Sequence, residues 1–166
     1  MDRPDSQRWC NVERAVIVVG LAVLIFGAAG GPGWTDGSHA AVLATQLERS
    51  ASAPLHGVLA TVAAYLPVGE PGFRLALLNA VLGAVVLAGV IRAARALRPR
   101  DPVAGVIGAL LLLLAPPFRD AAGFAGPAML AAAGAIWALA FATAHARAPS
   151  ARLAAAALAG VAIVIG

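Results

Sequence analysis

The sequence predicts an all-α fold: a polytopic transmembrane helical bundle with short interfacial helices in its first external loop. Three observations carry that prediction. Of the 166 residues 61% are hydrophobic and only 12% are charged, about half the charged share of a soluble domain. Apolar runs near the length of a hydrocarbon core recur along the chain, separated by glycine, proline and arginine. The mean hydropathy of +0.86 excludes water as the solvent for most of the surface.

Taken in order, the expected spans are 13–30, 72–97, 103–117, 127–146 and an incomplete one at 153–166, all in one membrane domain. Residues 1–14 are polar, and Ala15 to Ala29 is an uninterrupted apolar run. About 18 residues of helix rise roughly 27 Å, close to a hydrocarbon core. Arg14, the apolar run and Gly27-Ala28-Ala29-Gly30 also have the parts of a cleavable signal peptide, but the spans downstream favour an uncleaved first helix.

Gly30-Gly31-Pro32-Gly33 ends that helix, because proline lacks the N–H donor and glycine has little helical preference. The loop 31–71 then holds two short amphipathic stretches. Ala40, Leu43, Ala44 and Leu47 share one face; Leu55, Leu59, Val62 and Leu66 form a second stripe that Pro67 stops. Neither can cross a bilayer at this length, and both suit helices lying along the interface.

Pro71 opens the next span, apolar from Leu75 to Ile91 except for Asn79, and Arg92, Arg95, Arg98 and Arg100 follow it. Val103 to Ala115 is a third, short run that extends or tilts around Pro116-Pro117. Phe118-Arg119-Asp120 is a polar interruption, with Arg119 and Asp120 read as a local ion pair. Pro127 to Ala144 is the fourth, ended by His145 and Arg147. A fifth begins at Leu153 and stops at Gly166, from which the chain is expected to be the front portion of a longer protein.

Arginine placement sets the expected orientation. With the N-terminus cytoplasmic, Arg3, Arg8, Arg14, Arg92, Arg95, Arg98, Arg100, Arg147 and Arg152 fall inside and only Arg49, Arg74 and Arg119 outside, as the positive-inside rule requires. The loop 31–71 is then extracytoplasmic. The net charge of +4 does not indicate nucleic acid: the twelve basic residues, all arginine, lie between apolar runs instead of forming one patch. The lone Cys10 excludes an internal disulfide and a cysteine-based zinc cluster. Trp9, Trp34 and Trp137 suit interface positions or helix packing.

The external face would hold Asp36, His39, Glu48, Arg49, His56, Glu70, Arg74, Arg119 and Asp120. No helical His-Glu-x-x-His pair and no Gly-x-Ser-x-Gly elbow is present. Asp36 and His39 are two ligands at most, so no metal site is assigned and any need for a divalent metal stays open. Asp36, in a glycine-bounded loop at the mouth of the first span, has the chemistry of a general base for an acceptor hydroxyl. An arginine beside it can hold a phosphate leaving group through forked hydrogen bonds. Each residue has a plainer reading as well: a solvated carboxylate for Asp36, a packed or interfacial imidazole for His56, a snorkelling side chain for Arg74, an interhelical hydrogen-bond partner for Asn79.

Resemblance adds to this. Trp34-Thr35-Asp36-Gly37 after a first span is followed by Ser52-Ala53-Pro54-Leu55-His56. Leu66-Pro67-Val68-Gly69 comes next, and then Phe73-Arg74-Leu75 through Asn79-Ala80-Val81. The series resembles the start of a bacterial family of GT-C-type membrane glycosyltransferases related to protein O-mannosyltransferases. That family places Gly-Asp-Ser-Gly-Glu, His-Pro-Pro-Gly-Tyr-Pro-Leu, a Leu-Pro-x-Gly turn and Arg-Leu-Asn-Leu in the same order. The likeness covers residues 12–100 or so and fades beyond. It implies an enzyme of the bacterial inner membrane that takes its sugar from a polyprenyl-phosphate-linked donor, with the first-loop aspartate at the catalytic centre. Asp36 matches that aspartate, Arg74 the arginine at the outer end of the second span, and Pro54-Leu55 the Pro-Leu pair. The family's glutamate three residues after the aspartate is His39 here, the paired prolines and tyrosine are reduced to Ser52-Ala53-Pro54, and a glutamate after the third span has no counterpart near Ala125-Gly126.

The expected function is therefore transfer of a sugar from a lipid-phosphate donor to an extracytoplasmic protein or glycan acceptor, with O-mannosylation of protein as one form. Asp36 would be the catalytic base, Arg74 would bind the phosphate, and His39 and His56 would line the acceptor side. Membrane lipids are the other partners, and no cofactor is expected. The rival is a non-enzymatic polytopic protein, a transporter segment or an assembly subunit.

Overall fold

The computed structural model describes residues 3–29, 54–67, 71–123 and 127–165. These form seven helices and no strand: α1 (Arg3–Ala29), α2 (Pro54–Ala64), α3 (Pro71–Leu97), α4 (Val103–Leu114), α5 (Pro116–Gly123), α6 (Ala128–Arg147) and α7 (Ala151–Ile165). Three of them, α1, α3 and α6, contain stretches long and apolar enough to cross a membrane: Gln7–Gly27, Gly72–Leu97 and Ala128–Arg147. The first helix starts well before the span expected at 13–30, since its polar opening turns are helix-compatible and Pro4 sits where the missing N–H costs nothing. Trp34 lies outside the described residues, as does the amphipathic stretch at 38–49.

The third expected span, 103–117, is two helices. Pro116 favours an extended conformation at Ala115 (φ −69°, ψ 120°), since the proline ring disfavours the helical region for the residue before it. The Ala115 N–H still bonds back to Leu111 and Leu112, while its carbonyl accepts from Phe118 and Arg119 and so starts α5. The two axes differ by 69°. α4 has 12 residues, rising roughly 18 Å, less than a hydrocarbon core. The pair together is apolar and long enough to be a fourth, broken crossing or a re-entrant loop. α7 has 15 residues, which rise roughly 22 Å.

α3 is the helix on which the others pack. It touches α1, α2, α4, α5 and α6, and α6 in turn carries α7. Facing residues fix the directions. Glu13 meets Arg95, a Cβ at Gly20 would meet Leu87, and one at Gly83 would meet Leu24, so α1 runs antiparallel to α3. Gly89 faces Ile136, Trp137 bonds to Val85 and Arg147 to Leu97, so α6 runs parallel to α3. Gly105 against Ile91 makes α4 antiparallel to α3, and Gly134 against Gly160 makes α7 antiparallel to α6. Phe118 and Ala122 of α5 cross α3 at Gly83, near its midpoint. The buried core gathers Leu24, Ala80, Leu87, Ile91, Ala109, Leu113, Phe118, Ala122, Met129 and Ala133 from these helices.

One consequence is that the start of α1, the end of α3, the start of α4, the end of α6 and the start of α7 share one end of the bundle. Several polar ties among the described residues lie there. Glu13, buried, forms an ion pair with Arg95, Oε1 to Nε at 2.6 Å, but no donor among the described residues is aimed at that carboxylate oxygen in hydrogen-bond geometry. Arg147 Nη2 donates to the Leu97 carbonyl, one of the α3 acceptors that a helix end leaves without an internal partner. Asp101 Oδ1 accepts from the Val103 and Ala104 N–H groups at 3.2 and 3.3 Å, capping α4. Ser150 N–H donates to His145 Nδ1 at 3.0 Å, and its carbonyl receives the Ala154 N–H, closing the turn from α6 to α7.

The tightest approach is α6 on α7. A Cβ on Gly134 would stand 2.8 Å from the Gly160 carbonyl oxygen, and one on Gly160 the same distance from the Gly134 carbonyl oxygen. Backbone cannot yield as a side chain does. Gly160→Leu is expected to lower stability in detergent by about 2 kcal/mol or more, whereas Gly27→Ala, where a Cβ meets nothing within 4 Å, raises it or leaves it unchanged; thermal unfolding followed by circular dichroism checks both. Arg95→Met leaves the Glu13 carboxylate buried without its cation. Because Arg95 is itself about one-third exposed, the expected loss is about 1–3 kcal/mol, below that for a fully buried pair. Adding Glu13→Gln should recover most of it in a double-mutant cycle.

Candidate functional site

Of the candidate residues, Arg74 falls at the end of the bundle opposite those ties, at the start of α3, and His56 lies on α2, which precedes α3 in the chain. Pro54 opens α2 at the position where its missing N–H is harmless. Tyr65 and Leu66 bond back three residues, to Val62 and Ala63, which tightens the last turn before Pro67. Pro71 then opens α3 in the same way. α2 packs on α3.

His56 and Ala63, two turns apart, are buried, while Leu55, Val58, Val62, Tyr65 and Leu66 stand exposed. The exposed side of α2 is therefore apolar, the reverse of a helix in water and suited to one seated on lipid. The expected stripe of Leu55, Leu59, Val62 and Leu66 is thus divided, with Leu59 half-buried and the other three outward.

Burial pushes the His56 imidazole below its usual pKa of 6.5 through loss of solvation. His56 is accordingly neutral at pH 7, able to donate at one nitrogen and accept at the other, and not a cation for phosphate. Arg74, half-buried in the first turn of α3, is a cation of this region. Asn79 is fully buried further along α3. Asp36 and His39 lie outside the described residues, so the structure brings together only the helices that carry His56 and Arg74.

Other expectations change. Arg119 and Asp120 do not form the expected ion pair. Both are exposed on α5, and adjacent residues on a helix point away from one another. Trp137 is a packing residue: its indole N–H donates to the Val85 carbonyl at 3.1 Å, and its ring lies 5.3 Å from that of Phe141. A Cβ at Gly89 would come within 3.2 Å of that indole nitrogen, so glycine there is what lets the ring reach the α3 backbone. The Glu13–Arg95 pair was hidden in the sequence by its separation of 82 positions. The one available signal was a carboxylate just inside the first span facing an arginine just inside the end of the second, which antiparallel packing would bring level. Among the described residues no group of three or more His, Cys, Asp or Glu side chains could hold a metal.

No family model, curated protein or solved structure matches the chain. The functional reading therefore rests on the residues themselves.

His56 has a lower pKa folded than unfolded, so between the two values the unfolded chain binds more protons. Its contribution is present above about pH 6.5 and is lost as pH falls through the folded value. Wild-type protein should lose thermal stability, and hydrogen-exchange protection in α2, between pH 8 and pH 5. His56→Leu should abolish most of that difference while leaving the pH 8 value within about 1 kcal/mol.

Proposed function

We propose that the chain is a GT-C-like membrane glycosyltransferase that takes a sugar from a polyprenyl-phosphate-linked donor and places it on an extracytoplasmic acceptor. The observation that carries the proposal is the ordered series from Asp36 through Pro54-Leu55-His56 to Arg74, set between two helices of membrane-crossing length. The helical arrangement supports it. Asp36 follows α1 in sequence, and α1 packs antiparallel to α3, so Ala29 at the end of α1 lies toward the end of the bundle where α3 starts and carries Arg74.

In the proposed reaction the acceptor oxygen attacks the anomeric carbon of the donor. The bond from that carbon to the phosphate oxygen breaks, and the lipid phosphate leaves with the electron pair. The acceptor proton passes to the Asp36 carboxylate. Arg74 stabilises the charge growing on the phosphate, and the neutral His56, with His39, lines the acceptor side through hydrogen bonds without competing for the anion.

The orientation is part of the proposal. Nine of the twelve arginines belong to segments that meet at the Glu13–Arg95 end, which would then be cytoplasmic in a bacterial inner membrane. The chemistry would occur at the opposite face.

A second reading, a transporter element, is favoured by one observation, the 69° break between α4 and α5 beside the middle of α3. Broken helices at mid-depth are how many transporters build substrate sites.

The expected outcome for Asp36→Asn is a loss of sugar transfer of about 100-fold or more, with membrane insertion and helicity unchanged. Arg74→Gln should lower transfer by about tenfold or more. Both are read by incorporation of radiolabelled sugar from a lipid-phosphate donor in membranes expressing the protein. Full transfer by Asp36→Asn would remove that carboxylate from the mechanism, and a reporter fused near Ser50 that reads cytoplasmic would overturn the orientation.

A further inference from the structure

The turn between α3 and α4 carries cations that the fold does not use. At this end of the bundle Arg95 is taken by Glu13 and Arg147 by the Leu97 carbonyl. Arg98 and Arg100 are exposed and have no side-chain partner among the described residues. With Pro99 and Asp101 they line an open concavity of about 470 Å³. Asp101 brings one carboxylate to the lining, but its Oδ1 is turned onto the first N–H groups of α4. The lining keeps an excess of one positive charge, and the α4 N-terminus adds a partial one. The guanidinium of Arg147, held on Leu97, stands beside them.

The surroundings are apolar. Leu97 precedes the arginines, Val103 follows them, and both are exposed. The turn lies where the stretch Gly72–Leu97 ends, which in a bilayer is headgroup level. A ligand that fits must be anionic where it meets Arg98 and Arg100 and hydrocarbon where it meets Leu97 and Val103.

We propose that the Arg98–Arg100 turn binds the phosphodiester headgroup of an anionic glycerophospholipid, with the acyl chains lying along Leu97 and Val103. Arginine suits this role because its planar fork matches two phosphate oxygens at once. The site is separate from the Asp36–Arg74 region and holds whether the protein is a transferase or a transporter. It requires only that the helices sit in a membrane.

The test uses the full chain purified in detergent, with phosphatidylglycerol or phosphatidylcholine added to the micelles. Retained lipid is counted by native mass spectrometry, and thermal unfolding is followed in parallel. The wild type should retain phosphatidylglycerol in preference to phosphatidylcholine and be stabilised by it. Arg98→Gln/Arg100→Gln should weaken that retention by about tenfold or more, while Arg152→Gln, an exposed arginine at the same end, leaves it within about twofold. Arg98→Lys/Arg100→Lys keeps the charge and should retain part of the preference, which also covers the case in which the glutamine pair fails to fold. Equal retention of the two lipids by the wild type would overturn the proposal. So would an equal loss in Arg152→Gln, or displacement of the lipid by millimolar inorganic phosphate.

Discussion

Close approach of helices through residues that lack side-chain bulk is the constraint on which this bundle depends. Lipid tails are as apolar as leucine, so burying leucine against leucine gains little inside a membrane, and association rests on dense contact and a few polar ties. Leu24 of α1 seats over Gly83, Leu87 of α3 over Gly20, and Ile136 of α6 over Gly89. Gly105 lets α4 rest on the backbone at Ile91, and Gly134 and Gly160 bring two main chains together. The knobs are ordinary aliphatic side chains; the holes are glycines. α3 contributes holes on two of its faces, which is how one helix can support neighbours on several sides.

The polar ties do a different task. Arg147 on the Leu97 carbonyl and the Asp101 cap each satisfy backbone groups that a helix end would otherwise strand, and Arg95 supplies the counter-charge for the buried Glu13 carboxylate. Arginine serves twice here, as the cation for a buried carboxylate and as a donor to a helix-end carbonyl. That dual use accounts for why only some of the arginines in the α3–α4 region are available to an external anion.

The helices themselves were legible in the sequence, because long apolar runs bounded by proline and glycine leave little choice of secondary structure. The start of α3 at Pro71 and the end of α6 at Arg147 follow directly from those boundaries. The break at Ala115 was legible only as a disturbance around Pro116-Pro117. Its angle depends on how α5 packs across Gly83, and that is a tertiary matter. The early start of α1 was missed because hydropathy marks the membrane-facing part of a helix and is silent on a polar extension. At the candidate site the sequence marks residue types and their order. It does not set the burial of His56, which arises from α2 turning its imidazole inward and its aliphatic side outward. Asp36 and His39 remain sequence readings.

Trp137 and Arg147 attach α6 to the backbone of α3 at two heights, at Val85 and at Leu97. Those carbonyls are 12 residues apart, roughly 18 Å along the axis. A single fastening would let two parallel rods swivel; two at that separation lock both their slide and their twist. The α3–α6 pair is therefore the framework of the bundle, and α1, α4 and α5 pack on α3 within it.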